Sequence, residues 1–148
     1  MRILVADDQR FNILAMKHFF SRSFAFKEGD VVFAVDGQAA VKAFKANLKM
    51  RDQPDYVPIN LVLLDHFMPF LNGLEVVEAI KDLCAKVEQS EITETRLLPK
   101  MLIQATICSD AEYVQKALEL GVDECVCKPI KQETLAQILL KHGAIVEE

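Results

Sequence analysis

The stretch Ile59-Asn60-Leu61-Val62-Leu63-Leu64-Asp65-His66-Phe67-Met68-Pro69 decides the fold. Its aliphatic run, Leu61 to Leu64, leads straight into a single carboxylate, Asp65. The run shows no alternation of apolar and polar residues, so neither face is written for solvent. That is the pattern of a central parallel strand covered by helices on both sides. In open α/β sheets, ligands and chemistry sit just outside the carboxyl ends of the strands. Asp65 therefore stands where a reactive or metal-binding carboxylate would stand. Read alone, it could equally open a turn.

Working outward, apolar strands alternate with helices along the whole chain. Arg2–Ala6 is a strand that stops at Asp7-Asp8. Gln9 to about Arg22 reads as a helix, with Phe11, Leu14, Ala15, His18 and Phe19 at helical spacing. Val31–Val35 is the second strand, and Gln38 to about Met50 the second helix, with Val41, Phe44 and Leu48 inward. The opening stretch is the third strand. The third helix begins at Gly73 or Leu74 and turns Val77, Ile80, Cys84 and Val87 inward. The segment from Ser90 to Pro99 is polar and long for a connection of this kind. Met101–Ala105 is the fourth strand, ending at Thr106. Ser109 or Asp110 caps a fourth helix, with Ala111, Val114 and Leu118 inward and Gly121 as its stop. Glu124–Cys127 is the fifth strand, followed by Lys128-Pro129 and a last helix from about Lys131 to Lys141. This alternation specifies an α/β fold: a doubly wound, parallel five-stranded sheet with right-handed crossovers. Residues 1–148 form one domain, without repeat, linker or low-complexity tract.

Composition narrows the function. At 148 residues and 51% hydrophobic content, the chain buries a core without needing disulfides or metal. The net charge of −5 and the lack of a basic run point away from nucleic acid. Cys84, Cys108, Cys125 and Cys127 form no CxxC pair and read as small apolar residues of a reducing compartment. No stretch resembles a signal peptide or membrane span, so no membrane contact is expected.

The strand ends carry the chemistry. Asp7 and Asp8 end the first strand, Asp65 the third, Thr106 the fourth and Lys128 the fifth. In a sheet ordered 2-1-3-4-5, these ends converge on one shallow site. Clustered carboxylates repel, and without a cation some would hold protons at neutral pH. An all-oxygen set suits Mg²⁺, or Mn²⁺, and offers zinc no soft ligand. Such a site can accept a phosphoryl group between metal, ammonium and hydroxyl, and a carboxylate can itself be the nucleophile.

With Val5-Ala6-Asp7-Asp8, Asp65-His66-Phe67-Met68-Pro69, Asn72-Gly73, Thr106, Gly121-Val122-Asp123 and Lys128-Pro129 in place, the chain resembles the receiver domains of two-component response regulators. The resemblance implies the flavodoxin-like (βα)₅ fold and phosphotransfer from the phosphohistidine of a histidine kinase or histidine phosphotransfer protein. It implies that Asp65 is the phosphoacceptor. Asp8, Asp65 and the backbone carbonyl of Phe67 would hold Mg²⁺, with Asp7 acting partly through water. Thr106 and Lys128 would contact the phosphoryl oxygens, and the Lys128–Pro129 bond would be cis. Phosphorylation would switch a partner surface on the fourth helix, fifth strand and fifth helix. Two positions depart from the pattern. Cys125 stands where the family has an aromatic switch residue, and Ile107 where it has a small one. The wording near Asn72-Gly73 leans toward receivers of hybrid histidine kinases, a cytoplasmic module of a larger membrane protein.

Remaining residues receive plainer expectations. Asn12 supports the first turn of helix one, His66 is a solvent-facing loop residue, and His18 lies at the core edge. Phe67, Phe70 and Leu71 are a docking surface or fold back on the third helix. The chief alternative is an Mg²⁺-dependent phosphatase of the haloacid-dehalogenase type. It needs a second Asp two residues after the nucleophile, where Phe67 stands. A receiver-like interaction module that is never phosphorylated is the third reading.

Overall fold

The structure is a computed structural model that describes residues 1–90, 97–105 and 110–146. Its elements, in order, are β1 (Arg2–Ala6), α1 (Arg10–His18), β2 (Val31–Ala34), α2 (Gly37–Lys49), β3 (Ile59–Asp65), α3 (Gly73–Ser90), β4 (Lys100–Ala105), α4 (Ala111–Leu120), β5 (Glu124–Cys127) and α5 (Gln132–Lys141). The strands form one sheet ordered β2-β1-β3-β4-β5, and every pairing is parallel. This is the doubly wound order expected from the sequence.

Period two divides β3 between two cores. Leu61 and Leu63 enter one cluster with Ile3, Val5, Met16, Leu135 and Leu139, beneath α1 and α5. Val62 and Leu64 enter the other with Leu4, Phe44, Val77, Ile80 and Ala117, beneath α2, α3 and α4. Only Asn60 on β3 is exposed. Burying a large aliphatic side chain contributes about 1.5–3 kcal/mol, so β3 is the main apolar girder of the fold. Asn47, which the sequence reading passed over, is buried and locks the entry to β3. Its amide oxygen accepts from the Ile59 N–H at 2.9 Å and its amide nitrogen donates to the Val57 carbonyl at 3.0 Å.

Helix ends follow local chemistry. Asp36 caps α2 through the Ala39 N–H at 2.7 Å, and Asp110 caps α4 through the Glu112 N–H at 2.9 Å. Gly121, at φ 108°, supplies the left-handed residue that ends α4.

Two helix faces differ from expectation. In α1 the buried residues are Ile13 and Met16, and Phe20 follows them in a π-helical turn, Phe19–Ser23, that extends the helix. Phe11, Leu14 and His18 are exposed instead. In α4 Ala117 is buried and Tyr113 packs on the core, whereas Ala111 and Leu118 are exposed and Val114 is partly so. Both helices are short and apolar on more than one side, so periodicity alone did not select the inward stripe. Val35, expected in the second strand, lies beyond β2 and is 62% exposed. No helix among the described residues is long and apolar enough to cross a membrane.

The strand end that carries Asp65 is fixed by Gly73. Its N–H donates to the His66 carbonyl at 2.8 Å. A Cβ there would meet the Asp65 carbonyl oxygen at 2.7 Å, His66 Cα at 3.1 Å and Ile103 Cδ1 at 3.2 Å. Backbone cannot yield as a flexible side chain can. Gly73→Ala is therefore expected to cost about 1–3 kcal/mol, read as a lower urea midpoint.

Candidate functional site

The chain leaves β1 toward β2 on one side and reaches β3 on the other. The carboxyl ends of β1 and β3 thus flank the point where the strand order reverses, the place for a site in this architecture. By strand alternation Asp7 continues the side of Ile3 and Val5, and Asp65 the side of Leu61 and Leu63. Both carboxylates are buried, at 2% and 4% exposure. Asp8 is exposed. Each of the three offers an oxygen, and these oxygens lie within 4.8 Å of one another.

Lys128, directly after β5, reaches into this cluster. Its Nζ lies 2.9 Å from Asp65 Oδ2 and 3.5 Å from Asp7 Oδ2. Its peptide bond to Pro129 is cis. Asp7 is oriented from its own side: Oδ1 accepts from the Gln9 N–H at 2.9 Å and Oδ2 from the Asn12 amide at 3.2 Å. Asn12 thus supports the acidic site itself, a contact the sequence reading did not assign. The i, i+5 spacing across the strand-to-helix turn was its signal.

The electrostatics are those of a site short of positive charge. Burial pushes the Asp65 carboxyl above its ordinary value. Lys128 opposes the shift, and the neighbouring Asp7 and Asp8 charges add to it. The donors are all oxygen, they are acidic and crowded, and one side of the cluster is open at Asp8. That set fits a hard divalent cation, which would relieve the repulsion that raises Asp65. Beside it, between α1 and the connection after β5, opens a cavity of about 470 Å³ lined by Asp7, Asn12, Met16, Lys128 and Pro129 among others.

The other expected residues are placed as follows. Thr106 and Ile107 lie outside the described residues. Phe67 lies in the loop after β3 and is 60% exposed, and Phe70, at φ 70°, is 74% exposed. Leu71 packs on the core. Cys125 is half-buried on β5 against the core cluster under α4. Its thiol is pushed up by burial and by Glu124. Cys84 is buried as expected, but Cys127 is exposed and disulfide-bonded, unlike a small core residue.

His66 corrects its expectation. By alternation it leaves β3 on the side opposite Asp65, the side of α4. Its ring is half-buried and meets Tyr113 edge-on at 4.9 Å and Phe67 at 4.6 Å. Burial, and then the Lys116 charge, push its imidazole below the ordinary value. Tyr113 was missed because the α4 stripe was read one position off.

Comparison with known proteins agrees with this geometry. A family model for the response regulator receiver domain matches residues 3–140. The sensor histidine kinase GacS of Pseudomonas protegens is 30% identical over 141 residues, covering 95% of this chain and 13% of that protein. The autoinducer 2 sensor kinase/phosphatase LuxQ of Vibrio cholerae is 28% identical over 145 residues, covering 96% and 14%. The chain thus spans about an eighth of the length of these relatives. Among solved structures, the co-crystal of the Saccharomyces cerevisiae histidine phosphotransfer protein Ypd1 with the receiver domain of Ssk1 matches with TM-score 0.76 at 19% identity, covering 97% of this chain and 89% of the other. The magnesium-bound receiver domain of the Pseudomonas aeruginosa sensor kinase PA1611 matches with TM-score 0.64 at 19% identity, covering 97% and 98%. At that identity these two structures speak for the fold.

Proposed function

The chain belongs to the response regulator receiver domain family, a family of phosphoacceptor signalling domains, and from that premise we propose that Asp65 takes the phosphoryl group from a phosphohistidine donor with Mg²⁺ in the Asp7-Asp8-Asp65 cluster. The observation that carries the reading is the Lys128 ammonium 2.9 Å from Asp65 Oδ2 inside a cluster of three carboxylates. Asp65 is the nucleophile, and the lysine meets the phosphoryl oxygens. Asp8, Asp65 and the Phe67 carbonyl would hold the metal, with Asp7 acting partly through water. Mn²⁺ satisfies the same donors. Thr106 completes the phosphoryl contacts.

Each side chain has a defined part in the transfer. The Asp65 carboxylate attacks phosphorus as the P–N bond to the donor imidazole breaks; the bond pair stays on that ring nitrogen, and with a proton on its other nitrogen the imidazole departs neutral. The bound cation supplies charge neutralisation at the phosphoryl oxygens. Lys128 gives up part of its contact with Asp65 to face the incoming charge. Asn12 and the Gln9 N–H keep Asp7 turned toward the cluster. Little covalent chemistry remains for the protein beyond positioning and charge.

The donor is a histidine kinase or a histidine phosphotransfer protein. Exposed Phe11, which follows Asp8 on α1, and exposed Phe67 and Phe70, which follow Asp65, offer it apolar contact around the acidic cluster. The chain serves as one receiver unit over residues 1–148, on the cytoplasmic side, within a larger kinase of the kind it matches. A phosphatase reading fails for want of an acid two residues after Asp65.

Intact-mass measurement after Mg²⁺ and acetyl phosphate tests the reading. One phosphoryl adduct is expected with the cation and none with excess chelator. Adduct formation that ignores the cation would sink the metal assignment, and no adduct under any condition would sink the acceptor. The cation alone should also raise the thermal midpoint at pH 7, by about 2.7 kcal/mol of stability at a hundred times its dissociation constant.

A further inference from the structure

On the α4 side of β3, two buried polar atoms, His66 Nδ1 and Tyr113 Oη, have no protein hydrogen-bond partner among the described residues. Their rings touch, edge to face, with centroids 4.9 Å apart and planes at 77°. A buried hydroxyl left unpaired costs about 1–3 kcal/mol, and folded proteins leave few such groups. Here two such atoms lie on touching rings, one belonging to the residue directly after Asp65.

The surroundings give that arrangement a direction. Tyr113 lies in the first turn of α4, three residues past its Asp110 cap. Phe67 closes the other side of His66 at 4.6 Å, so the histidine is held between the loop after β3 and α4. Burial, with smaller effects of Cys125 and Asp65, pushes the Tyr113 phenol up to about 12. The hydroxyl therefore keeps its proton and lies within the field of Asp65. On the neighbouring strand, Glu124-Cys125-Val126-Cys127 presents no aromatic ring. Tyr113 and the small Cys125 pack on the same core cluster.

Resting on the phosphoacceptor reading of Asp65, we propose that Tyr113 is the residue that carries the phosphorylated state of Asp65 into α4. When Asp65 gains a phosphoryl group, the loop holding His66 and Phe67 adjusts. The Tyr113 hydroxyl then exchanges its unpaired position against His66 for a hydrogen-bonded one. Because Tyr113 is part of the first turn of α4, that exchange moves the helix.

The tyrosine content makes this directly measurable. The chain has two tyrosines and no tryptophan. Tyr56 lies before β3, bonded to Asn47 at 3.3 Å, at the opposite end of the strand from Asp65. Tyr56→Phe leaves Tyr113 as the reporting tyrosine. This variant is titrated with beryllofluoride and Mg²⁺, a phosphoryl mimic whose binding fluorine NMR follows independently. Tyr113 emission is expected to change with the same midpoint as binding. In a second variant, Tyr113→Phe, the ring contact with His66 stays, the unpaired hydroxyl of the resting form is removed, and the bond of the switched form is lost. Both changes favour the resting form, so mimic affinity should fall roughly five-fold or more. Bound mimic with unchanged Tyr113 emission, or an unchanged midpoint in Tyr113→Phe, overturns the proposal. Absence of mimic binding in the wild type overturns the acceptor reading and removes this proposal with it.

Discussion

Asp65→Asn is expected to form no phosphoryl adduct and, at neutral pH without divalent cation, to unfold at a higher urea concentration than the wild type. The first result follows from chemistry: a carboxamide of the same shape is not a nucleophile toward phosphorus. The second follows from linkage. Burial and the Asp7 and Asp8 charges, with Lys128 opposing, hold Asp65 above its ordinary 3.8. The folded state therefore binds that proton more tightly than the unfolded chain. Its stabilising contribution is complete below the unfolded value and is lost as pH rises through the folded one. Asparagine carries no charge at any pH. The advantage of the variant should thus open as pH rises above about 4 and be present at pH 7. Divalent cation should narrow the gap, since only the wild type presents all three carboxylates. Urea midpoints at pH 4 and pH 7, with and without Mg²⁺, read the stability arm, and intact mass reads the adduct. A variant that still gains the phosphoryl mass would remove Asp65 from its assigned place.

The fold was legible because its signals do not depend on which helix face turns inward. Continuous apolar strands such as Leu61–Leu64 specify burial on both sides, and their alternation with helices specifies parallel order. Helix faces were less legible. In α4, Ala111, Val114 and Leu118 make as good a stripe on paper as Tyr113 and Ala117. What selects the second is the way α4 packs on the sheet, a tertiary fact. In α1 and the turn that extends it, Ile13, Met16 and Phe20 stand at i, i+3 and i+7, as good a stripe as Phe11, Leu14, Ala15 and His18, and helical period alone does not choose between them.

The site was legible to the extent that it depends on strand ends. Asp7, Asp8, Asp65 and Lys128 each end a strand or lie within two residues of its end, so topology alone brings them together. The contact of Asn12 with Asp7 was signalled only by its i, i+5 spacing, because the contact itself depends on the entry angle of α1. The half-buried state of His66 was not legible. Strand alternation does send the residue after Asp65 to the α4 side. What meets it there depends on the face of α4, where the reading had already slipped.

Lys128→Met is expected to slow phosphoryl adduct formation roughly a hundred-fold while tightening divalent cation binding, and the opposite signs are what make the variant informative. The ammonium lies 2.9 Å from Asp65 and 3.5 Å from Asp7, on two of the carboxylates assigned to the cation. In the resting site it is a competitor for the metal. Charges about 4 Å apart interact by about 4 kcal/mol at the effective dielectric of a protein surface, enough to weaken the cation's hold by ten-fold or more. During transfer the same charge becomes an asset, because a phosphoryl group brings negative oxygens that the cation alone does not neutralise. Methionine keeps the length and packing of the side chain and deletes only the charge. Without cation, the variant should also lose roughly 2–3 kcal/mol of stability at pH 7, since buried carboxylates lose their counter-charge. Mg²⁺ should restore most of it. If Lys128 served only to hold the strand end in place, both cation binding and transfer would weaken together. Calorimetric titration with Mg²⁺ beside the rate of adduct formation distinguishes the two cases, and weaker cation binding in Lys128→Met would refute the electrostatic account.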